Sequence, residues 1–278
     1  MSTSRSNRRV IAQDTLDCLQ KGHYTNTQGQ IITIAKAQQY AQQHTQLYTP
    51  SESATLLEAY PLSTSSAKTQ YQVTSESTLD AVRRLLEEGR EQVLALNFAS
   101  AKNPGGGFLG GSQAQEESLA RSTGLYPCLL EAKEYYTIHR KTNSCFYTDH
   151  MIYSPLVPLL KDDEGVYLPS LQQASFITSP AVNTGVVKRQ EKERLAEVPA
   201  AMKKRLAKVL AIAHAQGHQQ LVLGAWGCGV FQNDPKEIAQ YYQEVLEDDF
   251  KGVFEKIVFA IYAKDERFIR PFQERFGR

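Results

Sequence analysis

The sequence is organised around residues 103–117, which read NPGGGFLGGSQAQEE from Asn103 to Glu117. Three consecutive glycines, Gly105, Gly106 and Gly107, would each cost roughly 0.5–1 kcal/mol relative to alanine in a regular element, so a loop without a task would seldom hold them. Glycine adopts positive φ readily and has no side chain. We therefore expect the backbone N–H groups of this loop to close around a ligand.

The glycine loop lies between a predicted strand and a predicted helix. Residues 93–98, VLALNF, form a short apolar run bounded by turn signals, which indicates a buried strand. Residues 116–126 have a helical pattern. A strand, a glycine loop and a helix N-terminus in succession favour an anion-binding site, because unpaired N–H groups and the helix dipole both attract negative charge.

Two adjacent carboxylates, Glu116 and Glu117, stand where this helix begins. One interpretation needs no chemistry, because acidic residues in a first helical turn interact favourably with the dipole by about 0.3–1 kcal/mol. Beside a phosphate-binding loop, however, paired carboxylates would repel the ligand unless they had a role. Paired acids next to a sugar–phosphate site are the groups that cleave glycosidic bonds. The combination therefore favours a glycosidase site.

A second glycine loop follows another predicted core strand at residues 220–224. Residues 224–235 read GAWGCGVFQNDP and precede a predicted helix. Alone, this segment could be a tight turn in front of an N-capping Asn233 or Asp234. Two such loops at one edge of a sheet would grip a diphosphate from both sides with backbone donors, and we favour that interpretation.

Length, composition and charge exclude several classes of protein. The 278 residues are 41% hydrophobic and carry a formal net charge of +1, so a packed core is expected and bulk binding of nucleic acid is not. No apolar run approaches the roughly 20 residues of a membrane helix, and no signal-type segment follows the basic N-terminus. The cysteines and histidines lack metal-ligand spacing. We expect a cytoplasmic monomer that uses no metal or cofactor and contacts no membrane.

Strands and helices alternate through most of the chain after residue 66, which predicts an α/β fold with a mixed, mostly parallel sheet flanked by helices. Residues 1–65 are predicted to form a mainly helical extension, with helices at 5–20 and 38–46 and a linker at 48–51. Residues 66–278 would form the catalytic domain.

A triple glycine, seven residues, and then Gln115-Glu116-Glu117 resembles the signature of the poly(ADP-ribose) glycohydrolases. The flanking residues 96–104, LNFASAKNP, and 118–127, SLARSTGLYP, look like the compact bacterial and fungal branch of that family. The likeness runs from about residue 74 to the C-terminus, and the N-terminal residues look like the helical extension of that branch. The resemblance implies a macrodomain-like core whose cleft lies at the carboxyl ends of the strands.

The resemblance also implies roles for individual residues. Glu117 would protonate the departing ribose oxygen and then deprotonate water, while Glu116 would hold ribose hydroxyls and help keep Glu117 protonated. Phe231 occupies the place of the family's aromatic residue over the terminal ribose. The other predicted ADP-ribose contacts are Gly105, Gly106, Gly107, Gln115, Asn97, Asn103, Gly227, Cys228, Gly229 and Val230. For Cys228, a packing or loop role is favoured over nucleophilic catalysis, because no histidine lies beside it in the sequence.

The predicted activity is hydrolysis of the ribose–ribose O-glycosidic bonds of ADP-ribose polymers, with polymer or an ADP-ribosylated macromolecule as partner. Two alternatives stay open: a hydrolase that removes single ADP-ribose units from protein or nucleic acid, and a macrodomain that binds ADP-ribose without cleaving it. A P-loop nucleotide hydrolase is disfavoured because the GxxxxGK[ST] pattern is missing. The choice between cleavage at chain ends and at internal linkages is also open.

Overall fold

The computed structural model describes residues 4–59 and 68–277. The expected boundary between residues 65 and 66 lies outside these residues. The strands of the described chain are β1 (His23–Thr25), β2 (Ile31–Thr33), β3 (Gln46–Tyr48), β4 (Gln70–Thr74), β5 (Val93–Phe98), β6 (Met151–Lys161), β7 (Tyr167–Ser179), β8 (Gln220–Leu223) and β9 (Lys256–Ala260).

The helices that flank these strands are α1 (Arg5–Lys21), α2 (Ala35–Gln43), α3 (Pro50–Ala59), α4 (Thr78–Glu87), α5 (Gln115–Ser122), α6 (Leu125–Glu131), α7 (Lys133–Lys141), α8 (Thr184–Gln190), α9 (Val198–Ala215), α10 (Pro235–Glu247) and α11 (Arg270–Phe276). Two short 3₁₀ turns, Phe108–Gly110 and Lys192–Glu197, complete the regular structure of the described residues.

Seven strands form one sheet in the order β3-β6-β7-β5-β8-β9-β4, and β1 pairs with β2 in a separate hairpin. β7, β5, β8, β9 and β4 run parallel to one another, whereas β6 is antiparallel to both of its neighbours. The prediction of an α/β fold with a mixed, mostly parallel sheet is therefore confirmed.

The central strand β5 separates two apolar cores. Because side chains alternate along a strand, Leu94 and Leu96 pack on the face covered by α9, α10 and α11. Val93 and Ala95 pack on the opposite face, together with residues of α4, α6 and α7. Burial on both faces explains why β5 reads as a continuous apolar run.

The N-terminal segment differs from the sequence expectation in its second helix and in its linker. The helix predicted at 38–46 is α2, which ends at Gln43, and Gln46 begins β3. The helix predicted at 5–20 is α1. The residues predicted to form a linker, 48–51, are instead the end of β3 and the start of α3. β3 ends at Tyr48 and pairs antiparallel with β6 at the edge of the main sheet, and α3 begins at Pro50. A three-residue strand is too short to produce a recognisable period in the sequence.

A buried charge cluster ties helix α9 to the loops at one end of the sheet. The Arg205 guanidinium donates to Asp149 Oδ1 at 2.9 Å, and Lys208 Nζ donates to Asp149 Oδ2 at 2.7 Å. Arg205 also donates to the carbonyls of Phe146 and Pro180, at 2.8 and 2.9 Å. Burial opposes ionisation of Asp149, but the two cations outweigh it and hold its pKa below the ordinary value.

We expect Asp149→Asn to lower the free energy of unfolding by about 3 kcal/mol, because it leaves two buried cations without their counter-ion. Urea denaturation measures this loss. The control Asp265→Asn removes an exposed partner of Arg267 and should cost less than about 1 kcal/mol. Equal losses in the two variants would contradict this assignment.

Candidate active site

Both glycine loops lie at the same edge of the sheet. β5 stands between β7 and β8, and all three are parallel, so their carboxyl ends meet there. The Trp226 indole N–H donates to the carbonyl of Ser179 at 3.2 Å and thus links the loop after β8 to the end of β7. The expectation of two loops at one sheet edge is confirmed.

Gln115 fixes the start of α5 against β5. Its Oε1 accepts the Phe98 N–H at 2.8 Å, and its Nε2 donates to the Leu96 carbonyl at 2.7 Å and to Thr78 Oγ1 at 3.1 Å. These contacts occupy the amide with protein partners and hold the two following glutamates at the sheet edge. A ligand contact by Gln115 stays a prediction.

Glu116 is the buried member of the glutamate pair, only 3% exposed. Its carboxyl accepts the Ser100 N–H at 2.6 Å and the Asn97 side-chain amide at 3.3 Å. Burial raises the pKa of Glu116 to about 8, the neighbouring Glu117 adds to this, and the hydrogen bonds from Ser100, Asn97 and Gly105 oppose it. Glu116 is therefore uncharged at neutral pH.

Glu117 is only half-buried and faces outward beside its neighbour. Its Oε1 accepts the N–H of Gly107 at 3.0 Å. Its Oε2 accepts no hydrogen bond from the described residues, and the carboxyl forms no ion pair with them. One oxygen is thus held in place while the other stays available to a ligand.

The glycine triplet allows the backbone to approach both carboxyl groups. Gly105 and Gly106 have φ of +67° and +59°, a region that disfavours other residues. A Cβ on Gly106 would collide with Glu117 Oε1 and lie 3.3 Å from Glu116 Oε2. The triplet is required by this close packing.

The N–H groups of the triplet do not behave as the sequence suggested. Gly105 donates to Glu116, Gly106 to the Asn103 carbonyl at 3.0 Å, and Gly107 to Glu117. None of these three N–H groups is therefore open to a ligand, because those of Gly105 and Gly107 contact the carboxyl groups and that of Gly106 closes the turn. Asn103 lies exposed in this turn. Direct ligand contacts by these residues stay predictions.

The second loop leaves donors open. Asn233 holds it by donating to the carbonyls of Val182 and Gly227, at 2.9 and 3.2 Å. Three successive N–H groups, those of Gly229, Val230 and Phe231, have no acceptor among the described residues. Successive unpaired N–H groups form an anion-binding concavity, so this loop is the better candidate for the diphosphate.

A cavity of ≈ 710 Å³ lies against the second loop. Three cationic side chains line it, those of Lys188, Lys236 and Arg267, together with Asp234. Cys228 also borders it, but this residue is 6% exposed and burial raises its pKa, which keeps the thiol protonated. That state favours the packing role over nucleophilic catalysis.

Phe231 has an aromatic neighbour that sequence reasoning missed. It is half-buried, and its ring centroid lies 6.0 Å from that of Tyr147 in the loop before β6. Tyr147 has φ of +55°, which is uncommon outside glycine. The sequence carries no local signal for Tyr147, because its proximity to Phe231 depends on the fold.

The stability of the protein should reflect the unusual pKa of Glu116. Folding raises that pKa from 4.5 to about 8, so the stabilisation of the uncharged form is complete below about pH 4.5 and is lost as pH rises through about 8. We expect the melting temperature of the wild type to fall relative to that of Glu116→Gln over this range, because the amide cannot ionise. Thermal unfolding at a series of pH values measures the difference.

The matched control for this pH series is Glu164→Gln, an exposed carboxylate in the β6–β7 hairpin. Its melting temperature should keep a constant offset from the wild type. A constant offset for Glu116→Gln as well would contradict the raised pKa.

No group of three or more His, Cys, Asp or Glu side chains among the described residues could hold a metal ion. None of the described helices is both long and apolar enough to cross a membrane.

Comparison with known proteins connects this geometry to a family. The family model of the microbial-type PARG catalytic domain, where PARG is poly(ADP-ribose) glycohydrolase, matches residues 12–162, more than half of the chain. A search of curated proteins found no match.

Several solved structures resemble the chain over nearly its whole length. The enzyme from Thermomonospora curvata is 42% identical, with a TM-score of 0.94 over 98% of this chain and 100% of that one. The same enzyme with the inhibitor ADP-HPD gives 41% identity and a TM-score of 0.91, with the same coverage. The enzyme from Deinococcus radiodurans in complex with ADP-ribose is 44% identical, with a TM-score of 0.81 over 86% of this chain and 96% of that one. The resemblance seen in the sequence is confirmed, and the chain belongs to the microbial-type poly(ADP-ribose) glycohydrolase family.

Proposed function

We propose that this chain hydrolyses the ribose–ribose O-glycosidic bonds of ADP-ribose polymers and releases ADP-ribose. The observation that carries the proposal is the state of Glu117, half-buried with one oxygen held by Gly107 and the other unoccupied, beside a fully buried Glu116. Relatives crystallised with ADP-ribose and with the inhibitor ADP-HPD support the ligand class.

In this mechanism Glu117 transfers the protons. Its carboxyl group protonates the departing ribose oxygen as positive charge develops at the anomeric carbon, and the resulting carboxylate then accepts a proton from the attacking water. The Gly107 N–H fixes the carboxyl group in one orientation, which reduces the entropy lost on reaching the transition state.

Glu116 supports the chemistry of Glu117 from a buried position. Because burial keeps it uncharged at neutral pH, it places no second negative charge beside the bound diphosphate. The diphosphate is therefore not repelled by two ionised carboxylates. Its contacts with Ser100 and Asn97 also fix the backbone at the end of β5. A contact between Glu116 and ribose hydroxyls belongs to the same proposal.

The remainder of the ligand fits the second loop. We assign the diphosphate to the open N–H groups of Gly229, Val230 and Phe231. The rings of Phe231 and Tyr147 would cover the terminal ribose. No step in this scheme calls for a metal or redox cofactor.

We further propose that the protein works in the cytoplasm as a monomer. All four cysteines, Cys18, Cys128, Cys145 and Cys228, are free thiols, which suits a reducing compartment.

We expect Glu117→Gln to reduce turnover of polymer by about 10²–10⁴-fold, the usual contribution of a general acid, while ADP-ribose still binds. Release of ADP-ribose gives turnover, and calorimetry gives binding. Glu164→Gln is the control and should leave both unchanged. Undiminished turnover by Glu117→Gln would refute the assignment, whereas binding without any wild-type turnover would favour the non-catalytic macrodomain.

Defined substrates separate polymer cleavage from removal of single units. The wild type is incubated with free polymer, mono-ADP-ribosylated protein and mono-ADP-ribosylated DNA, and released ADP-ribose is quantified. Release from polymer alone supports the proposed activity. Release from either mono-modified substrate at a comparable rate would favour the alternative hydrolase.

We expect Gly106→Ala to reduce turnover by about 10²-fold, because the new Cβ would displace the Glu117 carboxyl group. Gly89→Ala is a matched control, since Gly89 also has positive φ, +77°, but a Cβ there meets no atom within 4 Å. Both variants carry the same type of backbone strain and should have lower melting temperatures than the wild type, and Gly106→Ala also has the new contact with Glu117, so only Gly106→Ala should lose activity. Equal activity in the two variants would argue against the close packing as a requirement for catalysis.

A further inference from the structure

We propose that helix α1 is a working part of the active site, in which Arg5 and Arg8 are positioning residues for the loop that holds Glu117. This inference rests on the proposed function and deepens it. It gives the N-terminal extension a task that no motif within that extension reveals. Neither arginine is assigned a contact with the substrate.

The two arginines hold the far end of the first glycine loop. Arg5 Nε donates to the carbonyl of Gly110 at 2.9 Å, and Arg8 Nε donates to the carbonyl of Gly111 at 2.8 Å. Gly111 has φ of +75°, and a Cβ there would collide with the Arg5 carbonyl and lie 3.0 Å from Arg9 Cγ. The helix and the loop are therefore in direct contact, and the contact itself requires glycine.

A short series of hydrogen bonds connects these carbonyls to Glu117. The N–H groups of Gly110 and Ser112 both donate to the carbonyl of Gly107, at 3.0 and 3.2 Å. The N–H of the same Gly107 donates to Glu117 Oε1 at 3.0 Å. Gly107 is therefore held through both its carbonyl and its N–H, and a shift of the turn at one end moves the residue that orients the carboxyl group at the other.

Helix α1 is itself anchored well enough to serve as a support. Lys161 on β6 is fully buried, and its Nζ donates to Thr15 Oγ1 at 2.8 Å and to the Ile11 carbonyl at 3.1 Å. It also pairs with Asp14 at 2.7 Å. Ala12 packs against Phe108 of the loop and Ala120 of α5. The helix is thus fixed to the sheet, the loop and the catalytic helix independently of Arg5 and Arg8.

Exposure of the two arginines makes the inference testable without unfolding the protein. Arg5 is exposed and Arg8 partly so, and α1 keeps its buried anchors when they are removed. Two positive charges near the cleft could instead attract the polyanionic polymer from solution. That alternative acts on KM and weakens at high salt, whereas a misplaced Glu117 lowers kcat.

The experiment compares Arg5→Ala/Arg8→Ala with the charge-matched control Lys36→Ala/Lys133→Ala, whose lysines are exposed on α2 and α7. We expect the arginine variant to lose about 10- to 100-fold in kcat with KM nearly unchanged, since small displacements of a catalytic group cost this much. Hydrogen exchange should accelerate at the amides of residues 105–112, and the control should change neither quantity. Arg5→Lys/Arg8→Lys should recover part of kcat, because each ammonium can still donate to a carbonyl.

Equal kcat in the arginine and lysine variants would overturn the inference, as would a loss confined to KM that disappears in high salt. Should the alanine variant unfold, the Arg5→Lys/Arg8→Lys variant decides, with lowered kcat and faster loop exchange supporting the inference and wild-type values opposing it. The exchange measurement needs no turnover. A wild type that cleaves no polymer therefore refutes the proposed function, while unaltered loop exchange in the alanine variant refutes the role of α1.

Discussion

The close approach of a glycine backbone to two neighbouring carboxyl groups is the constraint on which the proposed site depends. Gly106 lies so near Glu116 and Glu117 that no side chain fits between them. Its neighbours donate their N–H groups to the same carboxyls. The loop thus acts on the acids directly, and the acids in turn hold the loop in a conformation with positive φ at two successive residues.

The two glutamates lie in different environments, because Glu116 is buried and Glu117 is half-buried. Successive residues of a helix are rotated by about 100°, so Glu116 points inward, where desolvation favours its neutral form, while Glu117 is half-buried. Two residues of the same type, adjacent in sequence, can therefore differ in environment and in task. The second loop lies at the same sheet edge, and three of its successive backbone N–H groups have no acceptor among the described residues.

Much of the fold could be predicted from the sequence, because the signals for it are local. β5 was predicted with its observed bounds since its apolar run is framed by turn residues, and strand–helix alternation indicated the parallel sheet. The strand β3 was missed because it is three residues long and exists only through pairing with β6. Local patterns do not encode such long-range partners.

The candidate site, too, was predicted only where its signals are local in the sequence. The spacing of the glycines and Gln115-Glu116-Glu117 identified the residues that the fold does bring together. It did not show that Gly105 and Gly107 donate to the glutamates rather than to an open cleft, because that depends on side-chain rotamers. Tyr147 and the support from Arg5 and Arg8 were also invisible, since each depends on segments that meet only after folding.

The pairing of β3 with β6 has a consequence for biosynthesis. The first strand of the sheet to leave the ribosome must wait for a partner encoded more than a hundred residues later, and α1 must wait for Lys161 on that same partner. The N-terminal segment cannot reach its final place until β6 has been translated. A nascent chain paused before that point would have its N-terminal segment undocked, with the apolar face of α1 exposed to solvent.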